Sequence, residues 1–75
     1  MIITFMNKTN VSDFKVAKQQ RIIDVLKVLN EDTEFNINIT NAKYILSTRL
    51  QEKVNTFKTF QEARIYNGDL LEIGG

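Results

Sequence analysis

Only one stretch of the chain repeats its apolar side chains at the spacing of a helix. In Arg21-Ile22-Ile23-Asp24-Val25-Leu26-Lys27-Val28-Leu29-Asn30-Glu31, the residues Ile22, Val25, Leu26 and Leu29 recur every three or four positions, with Arg21, Asp24 and Lys27 among those between. That spacing predicts about three turns of amphipathic helix. Asn30 is placed to end it, because asparagine tolerates the left-handed conformation that closes many helices. A lone helix with one apolar stripe must bury that stripe against other elements, and the rest of the chain reads as strands.

Met1 to Met6 alternate, with Met1, Ile3 and Phe5 on one face and Ile2, Thr4 and Met6 on the other. After the turn-forming cluster Asn7-Lys8-Thr9-Asn10, alternation resumes over Ser12–Lys18 with Phe14 and Val16 on one side, which predicts a hairpin. Beyond the helix, Phe35-Asn36-Ile37-Asn38-Ile39-Thr40 and Lys43-Tyr44-Ile45-Leu46-Ser47-Thr48 are two further strand candidates. Of the two, the second has the stronger strand composition, since asparagine favours loops. Arg49 to Phe57 is mostly polar and reads as a connection or a short strand. Thr59 and Glu62 have the spacing of a capping box opening a brief helical turn. Asn67-Gly68-Asp69 predicts a turn, and Leu70–Ile73 a closing strand with Leu71 and Ile73 facing one way.

The element order predicts an α+β fold: a mixed sheet of four to five strands with one helix packed across it, in a single domain over residues 1–75. The expected core is Ile3, Phe5, Phe14, Val16, Ile22, Val25, Leu26, Leu29, Ile45, Phe60, Ile65, Leu71 and Ile73.

Composition narrows the function. There is no Cys, His, Trp or Pro among the 75 residues, which removes the usual thiol nucleophile, the commonest zinc ligands and the side chain that titrates near neutrality. The expectation is a protein that is not an enzyme and carries no cofactor or metal. Ten basic against nine acidic residues, interspersed, give no basic face for nucleic acid. The apolar start has no basic region before it and no long apolar run after it, so neither a signal peptide nor membrane insertion is expected, and the location read is the cytoplasm.

The stretch Phe60-Gln61-Glu62-Ala63-Arg64-Ile65-Tyr66-Asn67-Gly68-Asp69-Leu70-Leu71-Glu72-Ile73 resembles the ending shared by many ubiquitin-like, or β-grasp, domains. Phe60 opens a short helical turn, Ile65 precedes the turn at Gly68-Asp69, and Leu71 and Ile73 lie in the last strand. With the hairpin and the helix, the resemblance covers essentially the whole chain. Among such proteins it is most similar to the bacterial YukD/EsaB type, ubiquitin-like accessory proteins of type VII (WXG100, or Esx) secretion systems. The resemblance implies a non-covalent role as a cytoplasmic component that is needed for, or regulates, the secretion machine, with a protein of that machine as partner.

Gly74-Gly75 departs from that family and is shared with covalent modifiers and sulfur carriers, whose carboxyl-terminal Gly-Gly is activated and transferred. The alternative function is therefore a carrier acting through the Gly75 carboxylate. Two residues extend at most about 7 Å past the last core position, which is short for entry into an activating enzyme.

Neighbours on a strand face opposite ways, so Tyr44, Leu46 and Leu70 cannot share the core of Ile45 and Leu71. They are the candidate partner-binding residues, forming an apolar patch on the outer sheet face. Lys43, Arg49 and Lys53 either rim that patch or protect a sheet edge. Asp69 with Glu72, and Glu31, Asp32 and Glu34, lack the ligand spacing of a cation site, and Asp69 is expected to shape its turn. Oligomeric state is left open.

Overall fold

In the computed structural model, which describes every residue except Thr9, Glu34, Gly74 and Gly75, the alternation at the amino terminus becomes a hairpin. Strands β1 (Ile2–Met6) and β2 (Val11–Lys15) pair antiparallel, with Ile3 opposite Phe14 and Phe5 opposite Ser12. Ile3 and Phe5 are fully buried, whereas Phe14, on the outer strand, packs against the core only in part.

Helix α1 (Ile22–Asp32) buries Ile22, Ile23, Val25, Leu26 and Leu29. Its first N–H groups are satisfied without a capping side chain: the Ile22 N–H donates to the Lys58 carbonyl at 3.0 Å and the Ile23 N–H to the Thr56 carbonyl at 2.8 Å. A distant loop does the work that Ser, Thr or Asp performs at other helix starts. Asn30 does not end the helix, as its place in the sequence suggested. The helix continues to Asp32, and the Asn30 side chain instead accepts the Ile37 N–H at 2.8 Å.

That bond belongs to a larger correction. Residues 35–40 form no strand: 35–38 are irregular and Ile39–Asn41 is one 3-10 turn. Phe35 and Ile37 are buried all the same, so the alternation marked burial and not pairing. Strand pairing goes to β3 (Tyr44–Ser47) and to β4 (Glu52–Asn55), the segment that read as a connection or a short strand. β4 contributes Val54 to the core.

The chain then crosses back through a turn at residues 59–64. The Thr59 N–H donates to Glu62 Oε1 at 2.9 Å, and the Glu62 N–H to Thr59 Oγ1 at 3.1 Å, the reciprocal pair that the spacing predicted. The Thr59 N–H, and after it the Thr59 hydroxyl, holds the Glu62 carboxyl below its ordinary value. Thr59→Ala is expected to cost about 1 kcal/mol, in the range of lost N-caps, and a urea midpoint measures it. Gly68 then takes a φ of +88°, which favours glycine, and the final strand β5 (Leu70–Glu72) enters the sheet.

β5 lies between β1, to which it is parallel, and β3, to which it is antiparallel, so the five-stranded sheet runs β2-β1-β5-β3-β4. Leu71 is fully buried, while Ile73, expected with it, is half-buried. No helix among the described residues is long and apolar enough to cross a membrane.

Candidate interaction face

The face of the sheet turned away from the buried core follows from register. Leu46 is opposite Glu72, Leu70 is opposite Thr4, and the Thr48 N–H donates to the Leu70 carbonyl at 3.2 Å. Directly opposed residues point the same way and neighbours along a strand point oppositely. Tyr44, Leu46, Leu70 and Glu72 therefore share the outer face, while Ile45 and Leu71 face the core. Tyr44 is 59% exposed and Leu46 38%, and Leu70 is half-buried. The three candidate residues are thus brought onto one surface by two strands that are far apart in sequence.

The same face holds Ile2, 42% exposed, with Thr4 and Met6 beside it on β1. Ile2 and Met6 add apolar side chains to this face, with Thr4 directly beside Leu70 and Glu72 between Met6 and Leu46. The alternation of Ile2, Thr4 and Met6 with Ile3 and Phe5 had already assigned them to one side, but the side could be joined to Leu70 only once β1 and β5 were paired.

The basic residues separate. Lys53 is directly opposite Leu46 and borders the apolar area. Lys43 precedes Tyr44 and is exposed, one residue out of phase with it. Arg49 is committed elsewhere: its Nε donates to Asp69 Oδ1 at 2.9 Å and its Nη2 to Asp69 Oδ2 at 3.1 Å, with the guanidinium 4.9 Å from the Tyr66 ring centre. This fork and ring geometry ties the turn after β3 to the turn before β5.

Asp69 also accepts the Tyr66 N–H at 2.9 Å, so its carboxylate shapes the turn and anchors Arg49. Glu72 lies on the outer face with Met6 directly opposite it on β1 and Leu46 on β3. Among the described residues, no three acidic, His or Cys side chains gather where a metal ion would sit. Beside the end of β5 a groove of about 460 Å³ is lined by Leu26, Tyr44, Ile45 and Ile73 together with Asn36, Asn38 and Asn41. Its described lining includes no carboxylate. What the outer face presents is exposed apolar side chains set among charged and polar ones.

No protein-family model matches the sequence. No curated protein matches it either. Among solved structures, the N-terminal ubiquitin-like domain of the 4931431F19Rik protein superposes with a TM-score of 0.75, covering 99% of this chain and 72% of that one at 9% sequence identity. The fold is ubiquitin-like. At that identity the likeness extends to architecture alone, a ubiquitin-like sheet grasping one helix.

Proposed function

We propose that this ubiquitin-like domain is a non-enzymatic docking module that binds a protein partner through the open sheet face around Tyr44, Leu46 and Leu70. We further propose that it works in the cytoplasm as an accessory or regulatory component of a bacterial type VII secretion system, of the YukD/EsaB type, with a cytoplasmic or membrane-bound protein of that machine as partner. The observation that carries the docking role is that Ile2, Leu70, Leu46 and Tyr44 lie together on the outer face of the three central strands, on the side opposite the core, with Thr4 and Glu72 among them. Exposed apolar side chains sharing one sheet face with a charged residue among them are a feature of interaction surfaces. The secretion setting is supported by the resemblance of the stretch Phe60–Ile73, with the hairpin and the helix, to that family.

A covalent carrier requires a tail free of the sheet. The Ile73 N–H donates to the Met6 carbonyl at 2.6 Å, which keeps the backbone in the ladder through that residue. Gly74 and Gly75, on which the carrier reading depends, lie outside the described residues.

Leu46→Glu tests the docking role. The substitution is on the surface and is expected to shift stability by no more than about 0.5 kcal/mol. A photocrosslinker at position 44 in cells that contain the secretion machine should yield one dominant adduct to a component of that machine, lost in Leu46→Glu together with export of WXG100 substrates. Unchanged crosslinking and export in that variant would sink the face as the docking site. Intact mass of the protein from those cells addresses the carrier: a thiocarboxylate or an isopeptide adduct on Gly75 would replace the docking reading.

A further inference from the structure

β2 is an outer strand, and its pairing with β1 decides which of its main-chain groups are used. The Val16 N–H donates to the Met1 carbonyl at 2.8 Å, the Met1 ammonium donates to the Val16 carbonyl at 2.8 Å, and the Asn7 N–H donates to the Asn10 carbonyl at 2.9 Å. Bonded pairs in an antiparallel ladder recur at every second residue, so Phe14 bonds Ile3 and Ser12 bonds Phe5. Val11, Asp13 and Lys15 therefore direct their main-chain N–H and C=O away from the sheet, where no described residue takes them. The other edge differs. On β4 the Asn55 carbonyl already accepts the Lys58 N–H at 3.2 Å, and the Asn55 side chain accepts the Phe57 N–H at 2.8 Å.

We propose that the β2 edge is completed by a second copy of this chain, β2 against β2 antiparallel, with the two-fold axis at Phe14. Charge selects the register. Only outward-directed residues can exchange bonds, so the possible registers are few. An axis at Asp13 sets Asp13 against Asp13, and one at Lys15 sets Lys15 against Lys15; like charges directly opposed destabilise a strand pair. An axis at Phe14 sets Asp13 of each copy against Lys15 of the other. Each of those two pairings exchanges two main-chain bonds and joins opposite charges on the outer face.

The side chains agree with that register. Asp13 Oδ1 accepts the Thr4 hydroxyl at 2.6 Å, which orients the carboxylate and leaves Oδ2 for the second copy's lysine. On the opposite face the axis brings Phe14 beside its twin, covering a ring that the core of one chain buries only in part. An axis perpendicular to the sheet sets both outer faces on one side, so the dimer presents two docking patches to one partner surface. That last consequence rests on the docking role proposed above, whereas the dimer does not.

Sedimentation equilibrium of the full chain, carried to millimolar concentration at moderate salt, tests the proposal. The expected mass rises with concentration toward twice 8.7 kDa. Lys15→Asp and Asp13→Lys should each weaken association by about tenfold or more, because each makes two like-charged pairs, and the double swap should restore it. A mass of 8.7 kDa at every concentration would overturn the dimer. Association unaffected by Lys15→Asp would overturn the register, since an axis at Asp13 sets position 15 against Val11. Circular dichroism establishes that each variant is folded; Lys15→Asp keeps the Thr4–Asp13 bond and decides the matter alone where Asp13→Lys fails to fold.

Discussion

Replacing Phe60 by alanine is expected to destabilise the domain by about 3–5 kcal/mol. The ring is fully buried, and the backbone around it is tied to two other parts of the molecule. Its N–H donates to the Gln20 carbonyl at 3.2 Å, ahead of α1, and its carbonyl accepts the Ile65 N–H at 3.0 Å, ahead of β5. Phe60 thus holds the turn at residues 59–64 against the start of the helix. A domain of this size has about 5–10 kcal/mol of stability, so the loss consumes about 30% of it or more. Thermal unfolding should fall by about 15 °C or more. Phe57→Ala is the control: the same residue type three positions earlier is 57% exposed, and its loss should stay within about 0.5 kcal/mol. Equal losses at the two positions would mean that the core does not close over the turn.

The second large effect is expected at Asp69. The residue is 7% exposed and accepts three hydrogen bonds, two from Arg49 and one from the Tyr66 N–H. Asp69→Ala leaves the Tyr66 donor without its acceptor and is expected to cost about 1–3 kcal/mol. Burial pushes the Asp69 carboxyl up, but the hydrogen bond from Arg49, the Tyr66 N–H and the Arg49 charge together outweigh it and hold the group below its ordinary value. A folded-state pKa below the unfolded one contributes stability that is complete above the unfolded value, near 4. It is lost as the pH falls through the lower folded value. Asp69→Asn, which cannot ionise, should therefore be less stable than the parent at neutral pH, and the gap should narrow below about pH 4. Urea midpoints collected between neutral pH and strong acid measure this. A gap that stays constant across that range would show that the ion pair contributes nothing to the folded state.

The amino-acid sequence by itself determined whatever depends on near neighbours. An α-helix closes its hydrogen bonds four residues away, so the spacing of Ile22, Val25, Leu26 and Leu29 was enough to identify α1 and the face it buries. The Thr59 and Glu62 pair was legible for the same reason. The split between Ile45 and Tyr44 with Leu46, and between Leu71 and Leu70, followed from the two-residue period of a strand.

Tertiary structure decided the rest, because a strand is completed by bonds to a segment that local sequence does not name. The alternation of Phe35, Ile37 and Ile39 lacked such a partner, so two of these residues were buried without a strand, while the polar segment at Glu52–Asn55 became one by pairing with β3. Arg49 and Asp69 lie 20 residues apart and meet only because β5 enters beside β3. The candidate face divides along the same line. Each of Tyr44, Leu46 and Leu70 could be assigned to the outside one strand at a time, but the surface they make with Ile2 exists only in the order β1-β5-β3, which long-range pairing sets.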